Sequence, residues 1–199
     1  MQAGVELFAE RGFKGATAEL LARRAGINKA MINYHFRNKR GLHEAILLAT
    51  FSELADRVER IGDSSRSAPD QLRAFVSVFS ATAAARPQFP SMLLREVLAG
   101  GAHMTDAVLR HLLRVLAVVQ RIVGRGVQDG DFRPVDPLLT HLSLVGGLAF
   151  FFATDGFRRR VLALAKDKMA LPRAEDYVHH VQELMTRGLA ADKPTRKRR

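Results

Sequence analysis

Cysteine is absent from the 199 residues. That excludes disulfides, thiol nucleophiles and thiolate metal sites, and it suits a reducing compartment. Long apolar runs are missing as well. The stretch from Leu142 to Ala153 covers about 12 residues, well short of the roughly 20 that a membrane-spanning helix needs. The N-terminus, MQAGVELFAERGF, is amphipathic and carries acidic residues, so it lacks the apolar core of a secretory signal. These absences predict a soluble cytoplasmic protein that makes no membrane contact. No G-x-S-x-G, H-E-x-x-H or phosphate-cradling glycine loop occurs, and nothing sets a nucleophile beside a base. His179 and His180 are adjacent, hence on different helix faces, and cannot form a two-ligand metal face. No metal and no cofactor are expected. Acidic residues are in deficit, 20 against 31 lysines and arginines, for a formal net charge of +11. Such a balance favours partners that carry phosphate, without specifying one.

Alternating strand patterns, internal repeats and low-complexity blocks are also lacking. What is present is helical periodicity. A first amphipathic helix ends near Gly12, and helices follow at about Thr17 to Ala25 and Lys29 to His35. A longer one opens near Lys39, with Leu42, Ile46, Leu54, Val58 and Ile61 among its three- and four-residue stripe. Residues 62–69, GDSSRSAP, form the clearest break. Helix resumes over Asp70 to Arg86, Met92 to Leu98, Thr105 to Gly130, Asp136 to Phe152 and Arg173 to Leu189, while Arg158 to Leu171 is ambiguous. The fold class is therefore all-α: a three-helix unit over 1–46, a helical bundle over 47–191, and a basic, disordered tail over 192–199.

The richest stretch is residues 12–42, GFKGATAELLARRAGINKAMINYHFRNKRGL. Two short helical patterns flank Ala25-Gly26-Ile27-Asn28, and glycine turns a chain sharply after a helix at little steric cost. Leu20, Leu21 and Ala25 are expected inward on the first helix, and Ile32 and Phe36 on the second. Thr17 and Asn28 each precede a helical pattern and can cap its free amides. Short helices around a tight glycine turn match the helix-turn-helix, whose second helix enters the major groove.

The stretch VELFAERGF, TAELLARRAGI, NKAMINYHFRNK and GLHEAIL, over about residues 4 to 50, resembles the TetR family of bacterial transcriptional regulators. Asn33 departs from the tyrosine that many members carry, and fewer residues than usual precede the first helix. The resemblance implies DNA contact by Thr17, Asn28, Lys29, Ala30, Asn33, Tyr34, His35 and Lys39. In those roles Thr17 touches a phosphate beside a helix N-terminus. Asn33 can pair with an adenine edge, and Ala30 can meet a thymine methyl group. Tyr34, His35 and Lys39 face phosphates, with Lys39 as the electrostatic anchor. The bland alternatives are capping alone for Thr17 and a solvated position for Asn33.

The stretch after Pro137, LLTHLSLVGGLAFFFA, is uncharged throughout, and a helix that is apolar all round must be covered on every side. A second subunit is one way to cover it, through Leu142, Val145, Gly146, Gly147 and Phe150 together with Val178, Val181, Leu184 and Met185 of the last helix. Burial at the centre of a monomer is the other. Phe75, Phe79, Met92, Arg95, Glu96, His103, Leu112 and Phe150 are the candidate lining of a pocket for a small hydrophobic effector. The reading as a whole is a homodimeric regulator, a repressor, that binds a double-stranded operator and is released by a small molecule. A helical adaptor that binds no DNA and, less strongly, an α-helical enzyme remain as alternatives.

Overall fold

Ten helices follow one another in the computed structural model, which describes residues 1–165 and 169–191. The expected basic tail over 192–199 lies outside the described residues. Among those described there is no strand, only an isolated bridge between Phe132 and Ala190. The helices are α1 (Gln2–Gly15), α2 (Ala18–Ala25), α3 (Lys29–Phe36), α4 (Lys39–Gly62), α5 (Ala68–Ala85), α6 (Phe89–Leu98), α7 (Asp106–Gln128), α8 (Pro137–Ala153), α9 (Asp155–Ala163) and α10 (Ala174–Leu189).

Helices α1 to α3 enclose a small core of Leu7, Phe8, Leu21 and Ile32, closed from behind by Leu42 and Ile46 of α4. Ala22, rather than Ala25, is the alanine that α2 buries. The physical reason is position at the helix end. Periodicity alone favours Ala25, four residues after Leu21, but Ala25 is the last residue of α2, where the chain turns away at Gly26, and it is exposed. Helix α1 is kinked at Gly12, whose φ of 67° and ψ of 178° are outside helical space. Glycine reaches that positive φ without a Cβ penalty.

Helix α4 belongs to both parts of the molecule. Its first turns complete the small unit, and Phe51, Leu54, Ala55 and Val58 are buried in the larger bundle. Residue 46, the expected domain boundary, therefore falls inside a continuous helix. In the bundle, α4, α5, α7 and α8 meet through Leu72, Phe75, Val119, Ile122, Leu144 and Leu148, all essentially inaccessible. The turn before α5 is tied by Gln71, whose Nε2 donates to the carbonyls of Ile61 (2.9 Å) and Ser64 (3.0 Å). Asp136 caps α8 by accepting from Leu138 N (2.7 Å) and Leu139 N (3.1 Å). The ambiguous stretch, Arg158 to Leu171, overlaps the second half of α9, which buries no residue. Without a buried stripe it leaves little periodic signal to read.

Candidate nucleic-acid interface

The turn between α2 and α3 is built as its residues require. Thr17 Oγ1 accepts from Leu20 N at 3.2 Å, and Asn28 Oδ1 accepts from Ala30 N at 2.9 Å. Gly26 takes a left-handed conformation (φ 66°, ψ 30°), which lets Ile27 N donate back to Ala22 O at 3.0 Å. These bonds satisfy helix-end groups that would otherwise be orphaned. They also set α3 rigidly on α2.

Helix α3 buries only Ile32 fully, with Phe36 half-buried beside it. Lys29, Ala30, Met31, Asn33, Tyr34 and His35 are exposed, Tyr34 to 82 %. Thr17, Asn28, Lys29, Ala30, Asn33, Tyr34 and His35 thus all lie on the solvent-exposed side of α2 and α3. Met31, which the sequence reading left unassigned, shares it, and so does Arg37. Arg37 ends α3 at a φ of 65°, unusual for a residue with a side chain. Its N–H bonds to Asn33 O at 2.9 Å, which fixes the turn.

The cations of this unit are not equivalent. Arg24 reaches back to α1, 2.8 Å from Glu10 and 3.4 Å from Glu6. Lys29 pairs with Glu19 in the first turn of α2. Lys39 turns toward α1: its Nζ donates to Phe13 O at 2.8 Å and lies 4.1 Å from the centre of the Phe13 ring. The ammonium expected to anchor a phosphate thus also ties α4 to the end of α1. Lys14, Arg23, Arg37 and Arg40 are exposed and make no ion pair among the described residues.

Behind this surface, the small unit meets α6 through a buried polar cluster. Glu96 of α6 faces His43 of α4, with Oε1 3.4 Å from His43 Nε2, and His103, with Oε2 3.3 Å from His103 Nδ1. Phe8 and Phe13 pack edge-on to the His43 ring, and Phe13 stacks on His103 at 4.2 Å. Burial is the main cause that lowers the His43 pKa to about 4, helped by His103 and Lys39. Its imidazole is therefore neutral near pH 7. Arg95 fixes the same seam, donating to Ala9 O (2.9 Å) and Glu10 O (3.2 Å).

The eight residues expected to line one effector pocket do not surround a common space. Arg95, Glu96 and His103 line a groove of about 390 Å³ against Arg11, Phe13 and Lys14 at the α1–α6 seam. Met92 lines a separate one of about 310 Å³ with Thr50 and Phe89. Phe75 and Phe79 are packed core, Leu112 is half-buried, and Phe150 is exposed. Helical spacing placed them on inward faces but could not show that the space between those faces is filled.

Helices α8 and α10 run side by side in opposite directions. Phe151 stacks on Tyr177 at 3.8 Å near one end, and Leu139 and Ser143 approach Met185 and Leu189 at the other. Leu139, Leu142, Gly146 and Phe150 leave an exposed apolar stripe on α8, with Leu184 exposed on α10. Val145, Val178 and Met185 are half-buried at its edge. Two expectations need correction. Val181 is buried within its own chain. Gly147 faces the Tyr177 hydroxyl, 3.2 Å from where a Cβ would stand, whereas Gly146 faces open space.

Among the described residues no single helix is long and apolar enough to cross a membrane. Comparison with known proteins gives a consistent set of matches. Residues 1–46 match the model for bacterial regulatory proteins of the tetR family, and residues 69–185 match that for a tetracyclin repressor-like C-terminal domain. A probable HTH-type transcriptional regulator of Bacillus subtilis, YttP, is 23% identical over 134 residues, 66% of this chain and 65% of YttP. The chain thus spans about two thirds of that relative's length. The solved TetR-family regulator PfmR of Thermus thermophilus superposes with a TM-score of 0.71 at 21% identity, covering 94% of this chain and 96% of that one. FadR of Bacillus subtilis, solved in complex with stearoyl-CoA, gives 0.72 at 18% identity with the same coverages.

Proposed function

Because the chain belongs to the TetR family of bacterial regulatory proteins, we propose that it is a sequence-specific DNA-binding transcriptional regulator, not an enzyme. The observation that carries this reading is the outward face of α3. A helix capped at both ends and locked to α2 presents almost all its side chains to solvent, beside several exposed cations. Such a face suits the major groove. Asn33 and Ala30 are the proposed base-reading residues. Thr17, Asn28, Lys29, Tyr34, His35 and Lys39 are the proposed positioning contacts to phosphate and sugar.

The working form is a homodimer in the cytoplasm, joined through the apolar stripe of α8 and α10. It presents two recognition helices to successive major-groove faces, roughly 34–36 Å apart. Its sign of action is repression, relieved by a small hydrophobic effector that binds the released form more tightly. The stearoyl-CoA held by FadR, a relative in fold, supports an apolar ligand class. The experiment is a selection from a random duplex pool by the purified protein at defined salt, followed by sequencing. A two-fold-related motif supports the reading. An unenriched pool rejects it.

A further inference from the structure

Glu19 is the one carboxylate on α2 and α3, whose other charged side chains are basic. It stands in the first turn of α2, and its carboxylate holds the ammonium of Lys29, the first residue of α3. Both side chains are largely exposed. The hydrogen bond from Lys29 is the leading cause that lowers the Glu19 pKa below the usual carboxylate range. The fold does not need this pair. Thr17 caps α2, Asn28 caps α3, and Arg24 fastens α2 to α1, while an exposed ion pair adds little to stability. The pair does matter to an approaching polyanion. It cancels the charge of Lys29 and sets a negative group beside two helix N-termini, which are otherwise natural sites for phosphate.

We propose that Glu19 is a specificity residue of the DNA interface that acts through Lys29. This inference rests on the DNA-binding reading above. On arbitrary DNA, Lys29 contributes no released counterion, because Glu19 already neutralises it. At the operator, the Glu19 carboxylate accepts from the N4 amino group of a cytosine in the major groove, a pairing that suits a carboxylate. Lys29 is then free for a phosphate. The carboxylate thus weakens binding everywhere except where that cytosine stands.

The test compares wild type, Glu19→Gln, Lys29→Ala and the double variant on a selected operator and on a scrambled duplex across a salt series. Glu19→Gln should bind the scrambled duplex more tightly, by about fivefold per subunit near 0.15 M salt, with a salt slope steeper by about one per subunit. The operator-to-scrambled ratio should fall, and a repeat selection should lose one cytosine preference per half-site. In the Lys29→Ala background the gain on scrambled DNA should vanish. An equal gain in that background means only general charge repulsion and overturns the proposal, as does an unchanged ratio. A wild type without salt-dependent DNA affinity removes the DNA-binding reading itself, an outcome separable from both.

Discussion

At the scale of single residues, Asn33 and His43 make opposite demands on the same small unit. The Asn33 side chain is exposed and makes no hydrogen bond among the described residues, so its amide is available to a base edge. Asn33→Ala should cost on the order of 1–3 kcal/mol at the preferred site and relax one base position per half-site. Fluorescence anisotropy on operator and scrambled duplexes measures both. A parallel loss on the two would make Asn33 a positioning residue. His43 is the reverse, a titratable ring shut between Phe8, Phe13 and Glu96. Its pKa is lowered from 6.5 to about 4, so between those values the unfolded chain binds more protons than the folded one. The resulting stability is fully present above pH 6.5 and is lost as pH falls toward 4. His141, lowered by burial, adds in the same direction. Thermal unfolding between pH 6.5 and 5, above the carboxylate range, should therefore show a falling midpoint. The fall should be shallower in His43→Phe, and equal slopes would place the protonation elsewhere.

Elements were legible where one helix carries its own signal. The stripe of α4, the caps Thr17 and Asn28, and the glycine turn at Gly26 all lie within a few residues of what they determine. Features made by distant segments were not. The His43–Glu96–His103 cluster joins three stretches that no periodicity relates, so Glu96 and His103 were legible as inward polar groups but not as partners of His43. Lys39 was legible as a cation near the recognition helix, but not as a donor to Phe13. Gly41 was silent too. A Cβ there would stand 2.0 Å from Phe36 O, so the α3–α4 corner closes only on a glycine. Gly41→Ala should destabilise the small unit by about 1–3 kcal/mol through forced backbone movement. Hydrogen exchange should show α1 to α3 losing protection, while α5 and α7 keep theirs. Full protection of α3 in the variant would contradict this account of the corner.

At the scale of the whole molecule, operator binding by a dimer couples two surfaces that lie far apart in the sequence. The exposed stripe of Leu139, Leu142, Gly146 and Phe150 is the proposed dimer seam, and a carboxylate at its centre would be an unpaired charge on association. Leu142→Glu should cost on the order of 3–5 kcal/mol of dimer stability, turning dimers to monomers in sedimentation equilibrium with helicity unchanged. Operator affinity should fall with it, although α3 is untouched. A variant that stays dimeric moves the seam elsewhere. The exposed apolar stripe itself was legible from an uncharged helix. The assignments of Gly147 and Val181 to it were not sound, because the rotation of α8 and α10 is set by packing against the rest of the chain.

The central claim is that the face of α3 reads DNA in a sequence-dependent way. It is tested most directly by the affinity of the purified protein for a selected duplex and for its scrambled counterpart, measured over a series of salt concentrations. The account predicts that both affinities fall log-linearly with salt, by several powers for a dimer, and that near physiological salt the selected duplex binds at least about 10³-fold more tightly. Equal affinities for the two duplexes, or affinities indifferent to salt, would contradict it.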